Sequence, residues 1–154
     1  MDNHSANNMW GDYLKNHLED VFHEAPKAEY FCDNEEDANE CAKLVKAGIK
    51  KATSDSLLGL QYRNEKLPKI GDFIVVTNWE GEAQCIIEIT KVRLKPYFSI
   101  TEEYAKLEGE GDKSLAHWKK VHWDYFTREL AEFERVPRES SIVVCQEFVK
   151  VFER

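Results

Sequence analysis

From Leu67 to Tyr97 the chain reads LPKIGDFIVVTNWEGEAQCIIEITKVRLKPY, and this run limits the fold more than any other stretch. β-Branched and aromatic residues dominate it, and turn residues divide it at defined places. Pro68 and Gly71-Asp72 mark a turn, Phe73 to Thr77 a strand, and Asn78-Trp79-Glu80-Gly81 a hairpin. A long strand follows from Ala83 to Leu94, stopped by Pro96, and the alternation over Ser141 to Phe152 predicts a closing strand. At 154 residues the chain has length for one domain with one proper core, not for two.

Helices flank this β centre. Trp10, Tyr13, Leu14, His17, Leu18 and Val21 recur at helical spacing, which predicts an amphipathic helix over Trp10–Phe22 behind a disordered stretch 1–8. Residues 1–29 therefore read as a tail plus helix, and 30–154 as the main domain. Asp33 or Asn34 caps a second helix whose first turn holds Glu35, Glu36 and Asp37, where the helix dipole favours them. Its buried stripe is Ala38, Cys41, Ala42 and Val45, and Gly48 terminates it in the left-handed region. Ser54–Tyr62 is ambiguous between strand and helix. Ser99–Glu103 opens a short helix running to Glu108, broken by Gly109 and Gly111. An aromatic helix then spans Asp112–Phe133. Fold class is α+β.

Charge narrows the function. A net charge of −8 disfavours a protein that coats nucleic acid, because neutralising phosphates takes Lys and Arg. Yet Lys43, Lys46, Lys50, Lys51, Arg63, Lys66 and Lys69 face only Asp55 and Glu65 in the intervening sequence. That patch predicts a positively charged cleft suited to a small anionic or nucleotide-like ligand. No apolar run reaches the roughly 18 residues of a membrane span. The polar N-terminus has no apolar core of a secretion signal, and Cys32, Cys41, Cys85 and Cys145 are widely spaced, so free thiols in a cytoplasmic protein are expected. Neither a metal-ligand spacing nor a cofactor fingerprint is present, and no metal or cofactor is expected.

The stretch Ala47-Gly48-Ile49-Lys50-Lys51-Ala52-Thr53 places an amine and a hydroxyl just after a helix stop. Residues three apart on a regular strand point to opposite faces, so Lys50 and Thr53 act together only if a turn or bulge intervenes.

AGIKKAT, LPKIGDFIVV, EAQCIIEITKV and EGEGDKSLAHWKKVHWDYFTREL together resemble the ASCH domain family (activating signal cointegrator homology) over roughly residues 30–152. The resemblance implies a PUA-like fold, a small β-barrel with flanking α-helices around a cleft. The family's G-x-K signature falls on Gly48-Ile49-Lys50. In small bacterial relatives that hydrolyse N(4)-acetylcytidine, the motif lysine, the threonine three residues on and a glutamate of a T-E-x-x-A-x-x-E segment form the catalytic set. By position these are Lys50, Thr53 and Glu108. Other relatives are described as ribonucleases or RNA-binding modules. This chain differs from the short amidohydrolases by its N-terminal and aromatic helices, and Ser54-Asp55-Ser56 replace the arginine that often follows the motif.

The chemistry implied is a threonine nucleophile deprotonated by a lysine whose pKa is lowered by burial and by neighbours such as Lys46 and Lys51. Glu108 then orients the amine or activates water. Lys51, Arg63, Tyr104, Ser114 and Trp118 are candidate substrate-binding residues, with Tyr104, Trp118 and Trp79 as stacking surfaces. The ligand is a nucleoside, nucleotide or RNA. Two classes of function remain open: a hydrolase of a modified nucleoside or of RNA (a ribonuclease included), or a non-catalytic module binding the same ligands.

Overall fold

The computed structural model describes residues 3–154. Among these residues five strands form one sheet in the order β1-β3-β4-β5-β2: β1 Lys27–Glu29, β2 Ala52–Ser56, β3 Phe73–Thr77, β4 Ala83–Pro96 and β5 Ile142–Glu153. β1 runs parallel to β3 and every other pairing is antiparallel. β4 and β5 are long enough to curl, and register shifts at Ile86/Ile87 and Ile89/Lys91 concentrate the bend, as bulges do. The result is a curled half-barrel with helices around it, a PUA-like α+β fold.

Among the described residues five α-helices cover the sheet: α1 His4–Lys15, α2 Glu35–Lys46, α3 Leu57–Tyr62, α4 Glu102–Glu108 and α5 Leu115–Ala131. α1 begins earlier than the apolar spacing predicts and ends sooner, at Lys15, with a single 3-10 turn at Leu18–Asp20. Asn3 sets the start, its side chain accepting from the Ala6 amide, so the disorder expected over 1–8 is replaced by order from Asn3 on, and residues 1 and 2 lie outside the described residues. The ambiguous Ser54–Tyr62 splits at Ser56, which ends β2 and caps α3 by accepting from the Gly59 amide.

All five residues of β3 are buried because the sheet is covered on both faces there. Ile74 and Val76 pack with Cys41 and Val45 of α2, while Phe73 and Val75 pack with Met9, Trp10 and Tyr13 of α1. A third cluster joins Trp118 and Phe126 of α5 to Tyr104 of α4 and Val143 of β5. Gly48 carries φ +77°, and the Ile49 and Lys50 amides both donate back to the Leu44 carbonyl, so the chain reverses and drops into β2.

Since Trp10 is a buried plug between α1 and the sheet, Trp10→Ala should destabilise by about 3–5 kcal/mol. Urea unfolding read by circular dichroism checks this; a loss near zero would make α1 an ornament.

Candidate functional site

Three local devices bring Lys50 and Glu108 together. The Gly48 reversal aims Lys50 inward; the Lys51 amide donates to the Leu107 carbonyl at 2.7 Å; and Phe148 of β5 donates to the Lys51 carbonyl at 3.0 Å. Gly109, at φ +69°, closes α4 so tightly on this segment that a Cβ there would lie 2.7 Å from the Ile49 carbonyl oxygen. Lys50 Nζ thereby sits 3.0 Å from Glu108 Oε1 and 2.8 Å from Glu110 Oε2, its side chain only 1% exposed.

Glu108 is saturated. Its Oε2 accepts from Ser54 Oγ at 2.6 Å and Trp118 Nε1 at 2.6 Å, and lies 3.2 Å from His122 Nε2. His122 Nδ1 donates to the Trp118 carbonyl at 2.8 Å, so both ring nitrogens face acceptors and the ring is held as the cation. Two cations, Lys50 and His122, thus balance two anions, Glu108 and Glu110, in the interior.

This arrangement works against the expected lowering of the Lys50 pKa. Burial pulls the Lys50 pKa down, but the carboxylates of Glu108 and Glu110 outweigh it and raise it above the ordinary lysine value. Lys51 cannot help to lower it, since that side chain is exposed on the far side of the segment. Burial likewise opposes ionisation of Glu108, yet Lys50, His122 and the Ser54 hydroxyl hold its pKa well below the usual value. His122 is raised in the same way, with desolvation outweighed by Glu108.

Thr53 lies on the other side of β2. Ala52, Ser54 and Ser56 are buried while Thr53 and Asp55 alternate outward, so the hydroxyl that reaches Glu108 belongs to Ser54. Thr53 is tied to the site through its carbonyl, which accepts from Tyr104 Oη at 2.7 Å. Its side chain lines a cleft of about 620 Å³ together with Asp55, Arg63 and Tyr125.

The cleft is acidic, contrary to the expected positive potential. Glu29, Asp33, Asp55, Glu65, Glu129 and Glu132 line it against only Arg63 and Arg128. Both guanidiniums are already engaged: Arg128 with Asp33 at 2.8 Å, Arg63 with Glu65 at 3.3 Å and Glu129 at 3.4 Å. The patch fails because, of the seven basic residues, Arg63 alone lines this cleft and Lys50 is sealed beneath it. Desolvation raises the pKa of Glu29, Asp55 and Glu129, against the opposing pull of Lys27, of a 2.8 Å Gln146 hydrogen bond and of Arg63 respectively.

The other predicted binding residues divide. Arg63 is in the cleft. Tyr104 and Trp118 are core residues, and Trp118 stacks on His122 with centroids 4.0 Å apart instead of presenting a face to a ligand. Trp79 packs against Tyr30 with the rings tilted by 43° and their centroids 4.7 Å apart. Ser114 is the N-cap of α5, accepting from the His117 amide. Ser54, Asp55, Glu110 and His122 were not singled out by sequence; the alternation of β2 and the two glycines around Glu110 were the available signals.

A metal finds no opening in the quartet. Glu108, Glu110 and His122 approach like ligands, but the Lys50 ammonium already occupies the position between the carboxylates.

A model of the ASCH domain family matches residues 27–152. The chain belongs to the ASCH domain family. Its fold is similar to the ASCH domain from Lactobacillus crispatus, at 35% identity and TM-score 0.88, over 95% of this chain and 93% of that one. It is also similar to protein EF3133 from Enterococcus faecalis, at 29% identity and TM-score 0.87, over 96% of this chain and 88% of that one. No curated protein matches the chain. Among the described residues no helix of this ASCH domain is long and apolar enough to cross a membrane.

The quartet makes stability depend on pH from both sides. Glu108, with a depressed pKa, stabilises fully above the ordinary glutamate value of about 4.3 and loses that contribution as pH falls. His122, with a raised pKa, stabilises fully below about 6.5 and loses it as pH rises. The urea midpoint should therefore be highest between these values, and His122→Asn should flatten the alkaline side. Lys50→Met, which strands two carboxylates, should cost roughly 3–5 kcal/mol. An unchanged pH profile in both variants would show that the quartet is not charged as described.

Proposed function

We propose that this ASCH domain hydrolyses a small acylated nucleoside, uncharged or cationic, and not a long RNA. The observation that carries this reading is the pairing of Thr53 and Asp55 on the cleft face of β2, under a lining in which carboxylates outnumber cations. The volume suits a nucleoside, and the acidic lining repels a polyphosphate chain while offering acceptors to amino groups of a base.

In this reading the base is Asp55, not Lys50. Same-face neighbours on a strand stand about 7 Å apart, so proton transfer between Thr53 and Asp55 passes through one water. Thr53 Oγ1 attacks the acyl carbon, Asp55 takes its proton, and the amine leaves as the C–N bond breaks and that proton is returned to it. Water, activated by the same carboxylate, then cleaves the Thr53 ester and regenerates the hydroxyl. Lys50 and Glu108 act as positioning residues, holding β2 through Ser54 and the Tyr104–Thr53 contact. Arg63, which lines the same cleft, would give up part of its carboxylate pairing to meet the developing oxyanion.

A second reading is supported by the sealing of Lys50 and Glu108: of the three residues implied by family resemblance, only Thr53 lines the cleft. A domain of that kind binds the nucleoside without turning it over.

Steady-state kinetics on a panel of acylated nucleosides separates the readings. Asp55→Asn should slow turnover by roughly 10²–10⁴-fold and remove the rise of kcat/KM with pH, whose inflection lies above the ordinary aspartate value of about 3.9. It should also stabilise the fold near neutral pH, because a carboxyl with a raised pKa opposes folding once it ionises. Thr53→Ser should retain turnover and Thr53→Ala almost none. Binding without turnover in the wild type would select the second reading.

A further inference from the structure

The cleft and the recess beside it are bordered by two thiols, Cys32 lining both and Cys41 only the recess, for which the proposed hydrolysis has no use. Cys32 stands in the turn between β1 and α2 at φ +75°, a left-handed conformation that few side chains adopt. It is half-buried and lines the cleft as well as an adjoining recess of about 400 Å³. Cys41 lies on the buried stripe of α2. Although the two are remote from any recognised cysteine spacing, their Sγ atoms are 3.1 Å apart. Cys41 Sγ in turn donates to Glu110 Oε1 at 3.3 Å, the carboxylate whose other oxygen holds Lys50.

Such a pair can take a soft metal or an oxidant, and the geometry distinguishes them. Two thiolates on tetrahedral zinc, each about 2.3 Å from the ion, stand roughly 3.7 Å apart, wider than the 3.1 Å found. The third ligand offered, Glu110, already carries the Lys50 ammonium at 2.8 Å, a fixed positive charge beside any metal bound there. We propose that Cys32 and Cys41 form a reversible dithiol–disulfide site, oxidised by hydroperoxides and reduced by small thiols.

The roles of the two sulfurs differ. Cys32, open to the cleft, is the attacking sulfur; the Cys41 thiol is pushed up by its Cys32 hydrogen bond and by burial, which suits a resolving partner. The Cys32 thiolate attacks one peroxide oxygen, the O–O bond breaks, and an alcohol or water leaves with the proton, giving a sulfenic acid. Cys41 sulfur then attacks Cys32 sulfur, the S–O bond breaks, and water departs carrying the Cys41 proton. Two thiols lose two electrons and the hydroperoxide gains them. Closure removes the hydrogen that Cys41 gives to Glu110. That carboxylate, the member of the quartet that reaches solvent at 21% exposure, then keeps Lys50 as its partner but loses the thiol. This chemistry stands apart from the hydrolase reading, and its test needs no substrate.

The experiment is peroxide treatment of the wild-type protein, alkylation in denaturant and intact mass, followed by peptide mapping. The four free thiols should fall to two, with Cys32 joined to Cys41, Cys85 and Cys145 still alkylated, and all four restored by dithiothreitol. Cys32→Ser should leave three alkylatable thiols after the same treatment. The buried Cys41 variant is not required, so a folding failure there leaves the test intact. Retention of all four thiols, a terminal Cys32 sulfinic acid with Cys41 still alkylatable, or earlier loss of Cys85 or Cys145 would each overturn the proposal. So would stoichiometric zinc that shields Cys32 and Cys41 from alkylation in the presence of a competing chelator.

Discussion

The rest of this structure depends on the Lys50–Glu108 ion pair, because a lone ammonium or carboxylate at that depth would cost more than the fold can offset. Glu108 is acceptable in the interior only with Lys50 on one oxygen and Ser54, Trp118 and His122 on the other. The four partners come from three elements: Lys50 from the turn after α2, Ser54 from β2, and Trp118 and His122 from α5. The charge balance therefore ties together elements that the hydrophobic clusters alone hold less specifically. Gly109 belongs to the same constraint, since only a residue without Cβ lets α4 close against the Ile49 carbonyl.

β2 separates two kinds of polar chemistry by its alternation. Its inward residues serve the quartet, where opposite charges drive Glu108 to ionise. Its outward residues face the cleft, where burial with few free cations drives Asp55 and its neighbours toward the protonated form. Carboxyl groups on the two sides of one short strand thus have pKa values displaced in opposite directions. The first kind adds to stability at neutral pH and the second subtracts from it. A cleft that gathers such an unfavourable set of acids supports the proposal that it is a site.

Glu110 is the link between the two. Its Oε2 belongs to the buried quartet and its Oε1 to the Cys41 thiol, while the side chain borders the recess that Cys32 and Tyr125 also line. The thiols and Lys50 are therefore linked through a single carboxylate.

What was legible in the sequence was local. Alternation and turn residues marked β3, β4 and β5; Asn34 and Gly48 bounded α2; and the motif segments carried the ASCH family and the Lys50–Glu108 partnership. These depend on near neighbours, through period, capping and backbone freedom. The start of α1 escaped because its cap, Asn3, lies ahead of the apolar stripe that signals the helix. The state of Lys50 escaped for a different reason. Its neighbours in sequence are lysines, which would lower its pKa, whereas its neighbours in space are Glu108 and Glu110, which raise it. The acidity of the cleft and the meeting of Cys32 with Cys41 were likewise decided only in three dimensions. Sign of charge and distance between thiols depend on which side chains the tertiary fold buries together, and spacing along the chain carries no record of that.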